Sequence, residues 1–208
     1  FLFDSYRAAH VFFDEGLWWK KAQEVFRERT GAVLLEAVEE GGFLAFTNSK
    51  REIRTPSDFE GLKFRGMDEG QIVLYKSFGA SGTPIPWTEL YLALRTGVVD
   101  GQMNPAMYIL MGSLYEVQAY MTLANIQYSD QFLVANGDLF DALSPEDQNT
   151  LAAAAKRANE ISRAEVEAAD AAQVEQLREK GMQIYAPTRE ELAVFRERAQ
   201  KPYLAWLE

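Results

Sequence analysis

At 208 residues, 48% of them hydrophobic and 25% charged, the chain is long enough to bury a core as one large domain or two small lobes. Its net charge of −10 argues against nucleic acid as a partner, because neutralising phosphate needs a basic patch. The absence of cysteine and a single histidine, His10, exclude disulfides, thiolate nucleophiles and histidine-rich metal centres, and leave almost no room for a Ser-His-Asp arrangement.

No apolar run approaches the ~20 residues of a membrane span. The chain opens on Phe1 without a basic leader region, which reads as a processed chain or a fragment. An acidic protein attracts anions poorly at long range, so any anion it holds must be gripped by local groups in a cleft.

The first predicted helix is "FFDEGLWWKKAQEVFRERTG", with Gly31 as its left-handed stop. Two strand-like runs follow, "AVLLEAV" and "GFLAFTN", split by Glu39-Glu40-Gly41-Gly42. "TPSDFEG" reads as a capped turn, "LKFRG" as a strand, and "EGQIVLYKSFG" as a helix ending at Gly79. Prolines hold "GTPIPW" extended, and Thr88 is expected to cap the helix "TELYLALRTG". "VVDGQ" then reads as a short buried strand that leaves Asn104-Pro105 at its exit. This alternation predicts an α/β layer sheet of parallel character.

Ser144-Pro145-Glu146-Asp147 is a strong helix start. The helix is predicted to run unbroken to Lys180, with Ala158, Ile161, Ala164, Ala168, Ala171, Val174 and Leu177 forming a narrow apolar stripe. At 1.5 Å per residue it would be about 50 Å long, so it must cross more than one packing unit or project as a coiled coil. "MQIYA" reads as a closing strand. Thr188 and Glu191 form a capping box for a last helix, bent or ended near Pro202.

Arg65 closes a strand just before a glycine-containing loop, the position where open α/β sheets bind ligands. Its guanidinium there is either a planar fork for a carboxylate or a surface charge paired with Asp68 or Glu69. Asn104 is either a polar contact for a ligand or a turn asparagine satisfying its own backbone. Trp87, stiffened by Pro84-Ile85-Pro86, is either the wall of an apolar pocket or core. His10 reads as structural, and Asp14-Glu15 and Glu39-Glu40 as solvated turns or helix-start charges. Lys50, Arg51 and Arg54 form a small basic cluster suited to a protein partner. No nucleophile–base pair supports an α/β enzyme, and no cofactor is implied.

Three pieces in order carry a family resemblance: "GFLAFTNSKREIRTPSDFEGLKFRGM", "SFGASGTPIPWTELYLALRTGVVDGQMNP" and "YEVQAYMTL". Together they resemble the DctP-type substrate-binding proteins of tripartite ATP-independent periplasmic (TRAP) transporters. The resemblance implies a periplasmic, non-enzymatic receptor with a type II periplasmic-binding-protein-like fold of two lobes. Such a receptor closes on a small organic acid and delivers it to a TRAP membrane permease. It implies that Arg65 grips the ligand carboxylate, that Asn104 touches the ligand, that an aromatic at Trp87 packs on it, and that Tyr128 lines the cleft. The implied lobes are residues 1–41 with 130–169 (amino-terminal) and 42–129 with 170–208 (carboxyl-terminal), the long helix of about 145–180 crossing between them.

Leu44 stands where relatives that bind sialic acid and many other acids carry a second arginine, and Met103 where many carry a carboxylate. Set against the family, the chain is expected to lack about the first third and so to have an incomplete amino-terminal lobe. The alternative is an interaction module that dimerises through the long helix and binds no small molecule.

Overall fold

The computed structural model describes residues 3–14 and 16–208, so the readings placed on Phe1 and Glu15 fall outside the described residues. In chain order the helices and strands are α1 (Tyr6–Asp14), α2 (Leu17–Thr30), β1 (Val33–Phe43), β2 (Ala45–Asn48), β3 (Lys63–Gly66), α3 (Glu69–Ser77), β4 (Ser81–Pro84), α4 (Trp87–Arg95), β5 (Gly101–Asn104), α5 (Ala106–Met111), β6 (Tyr120–Thr122), β7 (Tyr128–Ala135), α6 (Gly137–Asp141), α7 (Pro145–Glu179), β8 (Gln183–Tyr185) and α8 (Arg189–Leu207). They fall into two compact units. One comprises Phe43–Gln127 with Ala172–Glu208, the other residues 3–14 and 16–42 with Tyr128–Ala171.

The first unit is built on a six-stranded sheet in the order β4-β3-β5-β2-β6-β8. The β3–β4, β3–β5 and β6–β8 pairs are parallel, but β2 runs against both β5 and β6. The sheet is therefore mixed, where the alternation of elements predicted parallel character. Side chains alternate across it with the two-residue period of a strand. Leu44, Phe46, Phe64 and Met103 face one core with Tyr75 of α3 and Phe195 of α8. Ala45 and Met121 face the other, with Leu90 and Leu94 of α4, Ile109 of α5 and Leu177 near the end of α7.

Local chemistry explains many boundaries. Thr55 and Asp58 close a capping box around the 3-10 turn Pro56–Phe59, with the proline in its first turn. Asp68 caps α3 by accepting from the Gln71 amide, and Thr188 with Glu191 opens α8. That last helix continues through Pro202 to Leu207 rather than ending there. Pro86, not Thr88, occupies the cap of α4, which leaves Thr88 inside the first turn. The strand expected over "VVDGQ" begins only at Gly101. A Cβ at Gly101 would lie 2.4 Å from the Thr47 carbonyl oxygen and 2.8 Å from the Phe64 ring, so glycine lets β2 and β3 close on β5.

In the second unit the helix expected from Phe12 to Gly31 is two helices that meet at Gly16. The interrupting glycine is closely packed, its Cβ direction pointing 2.4 Å from the Phe12 carbonyl oxygen. The gap expected at Glu39–Gly42 is absent, and β1 runs through those residues with Gly41 and Gly42 at positive φ. β1 pairs with β7 in a two-stranded sheet. Phe13, Trp19, Leu34 and Ala37 form the small core beside it.

The apolar stripe expected on α7 packs into a core only toward its carboxyl end, at Val174 and Leu177. Ala158, Ile161, Ala164, Ala168 and Ala171 are exposed, while Ala155, Asn159 and Arg163 are buried. The helix is stitched to β1 through polar atoms instead. Asn159 donates to Glu36 at 2.9 Å and to the Ala37 carbonyl at 3.0 Å, and Ser162 donates to the Glu39 carbonyl at 3.3 Å.

Candidate functional site

The strands β3 and β5 are parallel neighbours, and each is followed directly by a helix. Their carboxyl ends place Arg65 and Asn104 on one face of the sheet, opposite the face that buries Phe64 and Met103. The helices α3 and α4 start at this same edge, so their positive ends point toward it. This is the edge at which open α/β sheets bind ligands.

Arg65 is not a surface charge. It is 5% exposed, and it donates from Nε to the Ile85 carbonyl at 2.8 Å instead of pairing with Asp68 or Glu69. Its Nη1 is buried and has no hydrogen-bond partner among the described residues. Burial lowers its pKa from the ordinary guanidinium value. A buried cation with an unused donor is costly alone and is well suited to an oxyanion.

Asn104 does not satisfy its own turn. It is 5% exposed, and its Nδ2 donates to Gln102 Oε1. Gln102 in turn donates to Thr47 Oγ1 at 3.0 Å, and Thr47 donates to Gln118 Oε1 at 2.8 Å. Trp87 is 37% exposed at the start of α4, with its ring edge-on to Tyr108 at a centroid distance of 5.6 Å. It is therefore not core.

Tyr128 belongs to the other unit. Its hydroxyl donates to Glu39 Oε2 at 2.7 Å, and burial first, then that bond, push its pKa well above the usual phenol range. The same carboxylate oxygen meets His10 Nε2 at 2.7 Å. Glu39 is buried inside β1, not solvated, and its Oε1 has no partner among the described residues. Asp14, also read as solvated, accepts two bonds at 2.9 and 2.7 Å from the buried Arg163, whose Nε is likewise unpartnered among the described residues.

Leu44 is fully buried in the core beside Phe46, and Met103 lies in the same cluster, so neither position offers a charge to a ligand. A surface depression of about 730 Å³ lies at the opposite end of the six-stranded sheet, lined by Lys50, Tyr91, Arg95 and Glu116 among others. It contains none of the residues above. Among the described residues no group of three or more His, Asp or Glu is placed to hold a metal ion.

The buried partners Gln102, Thr47, Gln118, Glu39, Asn159 and Arg163 were not singled out from the sequence as site residues. Only Gln102 carried a signal. Its two-residue spacing from Asn104 puts both on one face of a strand.

Fold and site together define a class: the chain has the type II periplasmic-binding-protein-like fold of the TRAP solute-binding proteins. A solved example from Polaromonas sp. JS666, described as bound to D-erythronate, superposes with a TM-score of 0.90 at 33% identity, covering 99% of this chain and 67% of that one. Residues 1–208 match the family described as bacterial extracellular solute-binding protein, family 7 (DctP), and the chain belongs to that family. It is 40% identical over 146 residues to a solute-binding protein of Verminephrobacter eiseniae, covering 70% of this chain and 44% of the relative. It is 37% identical over 151 residues to the ectoine-binding periplasmic protein TeaA of Halomonas elongata, covering 71% of this chain and 43% of that protein. The chain thus spans less than half the length of these two curated relatives. Family membership makes it a periplasmic protein of a receptor family rather than an enzyme family. No helix among the described residues is long and apolar enough to cross a membrane.

Proposed function

We propose that the protein is a receptor for a small organic acid, held through its carboxylate, and that it delivers this acid to the membrane subunits of a TRAP transporter. The observation that carries the reading is Arg65, a buried guanidinium at a strand exit with Nη1 unpartnered among the described residues. Asn104 supplies a neighbouring polar contact, and Trp87 an aromatic wall. Tyr128 is a further ligand-lining candidate of its own unit. In this reading residues 42–129 with 170–208 are the carboxyl-terminal lobe, and residues 1–41 with 130–169 belong to the amino-terminal lobe. The relatives support an acid: one is described with D-erythronate, another as ectoine-binding.

A thermal-shift screen of small organic acids identifies the ligand class, because binding to the native state alone raises the melting temperature. Calorimetry on Arg65→Ala should then show carboxylate binding abolished in a protein that remains folded. Unchanged affinity would overturn the assignment.

One observation favours a second reading, dimerisation through α7: Ile161 is 45% exposed on the alanine-rich stripe. Light scattering that shows a concentration-dependent dimer, with no stabilisation by any acid, would support it over the receptor.

A further inference from the structure

The amide of Asn104 is not free to choose which end it offers. The chain of side-chain bonds behind it is anchored on two backbone carbonyls. Gln118 Nε2 donates to the Asp100 carbonyl at 3.2 Å and to the Val117 carbonyl at 2.9 Å. Carbonyl oxygens only accept, so the nitrogen of Gln118 must face them and its Oε1 must face Thr47. Thr47 has one hydroxyl proton, which goes to Gln118 Oε1 at 2.8 Å. Toward Gln102 it can only accept, and it takes Nε2 at 3.0 Å. That turns Gln102 Oε1 toward Asn104, whose Nδ2 donates to it. Flipping any one amide would set two acceptors or two donors face to face in a dry interior. Thr47 and Gln102 are 0% exposed and Gln118 is 2% exposed.

The register of the sheet makes this line possible. Thr47 lies opposite Gln102 across the antiparallel β2–β5 pair, and Gln102 and Asn104 share a face two residues apart. With one N–H committed backward to Gln102, the planar amide directs Oδ1 of Asn104 away from the relay. Arg65 contributes donors only. The fixed oxygen of Asn104 is therefore an acceptor on the sheet face that also carries Arg65.

We infer that the relay Gln118–Thr47–Gln102 holds the Asn104 amide in one orientation, and that this makes the site select acids carrying a hydroxyl group over their deoxy analogues. The inference rests on the receptor reading above and narrows its ligand class. A bare carboxylate satisfies Arg65 and the remaining Asn104 N–H but offers the Asn104 oxygen no donor, whereas a ligand hydroxyl donates to it. Gln102, Thr47 and Gln118 act through Asn104 and are positioning residues.

The test measures affinity by calorimetry on the whole chain for matched pairs, D-erythronate against 3,4-dihydroxybutyrate and 2-hydroxybutyrate against butyrate. The unaltered protein should prefer the hydroxylated member by about tenfold, the value of one buried hydrogen bond. Thr47→Val, which can neither donate nor accept, should bring the ratio close to one while carboxylate binding through Arg65 persists. Thr47→Ser, which keeps the hydroxyl, should restore it. A merely structural role would lower the affinity for both members alike and leave the ratio unmoved. If Thr47→Val does not fold, Gln102→Met makes the same comparison. Acid binding with no hydroxyl preference, or a ratio unchanged in Thr47→Val, overturns this inference and leaves the receptor reading standing. Failure of the unaltered protein to bind any acid overturns both.

Discussion

Replacing Arg65 with leucine should separate stability from binding. In the ligand-free protein the substitution removes the bond from Nε to the Ile85 carbonyl, a loss of about 1.5 kcal/mol for a charged donor. It also removes a 5% exposed guanidinium whose Nη1 has no partner among the described residues. Relief of that desolvation is worth about 1–3 kcal/mol. The two effects oppose each other, so stability should stay within about 1.5 kcal/mol of the starting value. In a chain of this size that is a melting shift of no more than about 3–6 °C. Binding should respond very differently. Truncating one partner of a buried, hydrogen-bonded charge pair costs about 2–5 kcal/mol, or roughly thirty- to several-thousand-fold in affinity. The assay is differential scanning fluorimetry with and without an acid that binds the unaltered protein. Arg65→Leu should melt near the original temperature and show no ligand-induced rise. A loss of more than about 3 kcal/mol without ligand would make Arg65 a structural residue, and a retained ligand shift would remove it from the site.

Tyr75→Phe should leave the protein as stable or stabilise it by about 1 kcal/mol, because its fully buried hydroxyl has no partner among the described residues; a clear loss in chemical denaturation would show that the hydroxyl is engaged. Asp130 is half-buried, and burial followed by the nearby Glu40 carboxylate raises its pKa to about 6. The folded state then holds this proton more tightly than the unfolded state between about pH 4 and 6, so stability falls as pH rises through that window. Asp130→Asn should flatten that slope and raise stability at pH 8 by about 1 kcal/mol; an unchanged pH profile of melting temperature would refute the shift. Asn159→Ala should cost about 2–4 kcal/mol by removing the bonds that tie α7 to Glu36, Ala37 and Glu39, and a denaturation midpoint within error of the original would show that α7 is held otherwise.

Caps and stops made much of the fold readable. The Thr55–Asp58 and Thr188–Glu191 boxes are local chemistry, and both form as the spacing demands. The order of elements predicted α/β layers and a strand over "GFLAFTN", but could not report that β2 runs antiparallel between β5 and β6, because direction is a matter of pairing, not of local pattern. Gly41 and Gly42 look like a break in sequence, yet β1 accommodates their positive φ and continues to Phe43. On α7 the alanine stripe misled for a different reason. Small side chains at helical spacing mark a face that permits close approach, but here Asn159, Ser162 and Arg163 supply the contacts, and burial follows those polar bonds.

The candidate site divides along the same line between local and pairing information. Arg65, Trp87 and Asn104 stand at strand exits and helix starts, positions that the order of glycines and prolines marks in the chain. Their partners are set by register. Thr47 precedes Gln102 by 55 residues, and they meet only because β2 inserts antiparallel beside β5. Gln118 enters the relay from the turn before β6, a position with no local sign of a buried amide. The same logic explains Glu39, which reads as one of two solvated acids. Within β1, Glu39 is buried where Tyr128 and His10 share its carboxylate. A neighbour in sequence says which side chains can reach a ligand edge. Strand pairing decides which of their atoms are already spent, and at Asn104 it commits the amide nitrogen to Gln102.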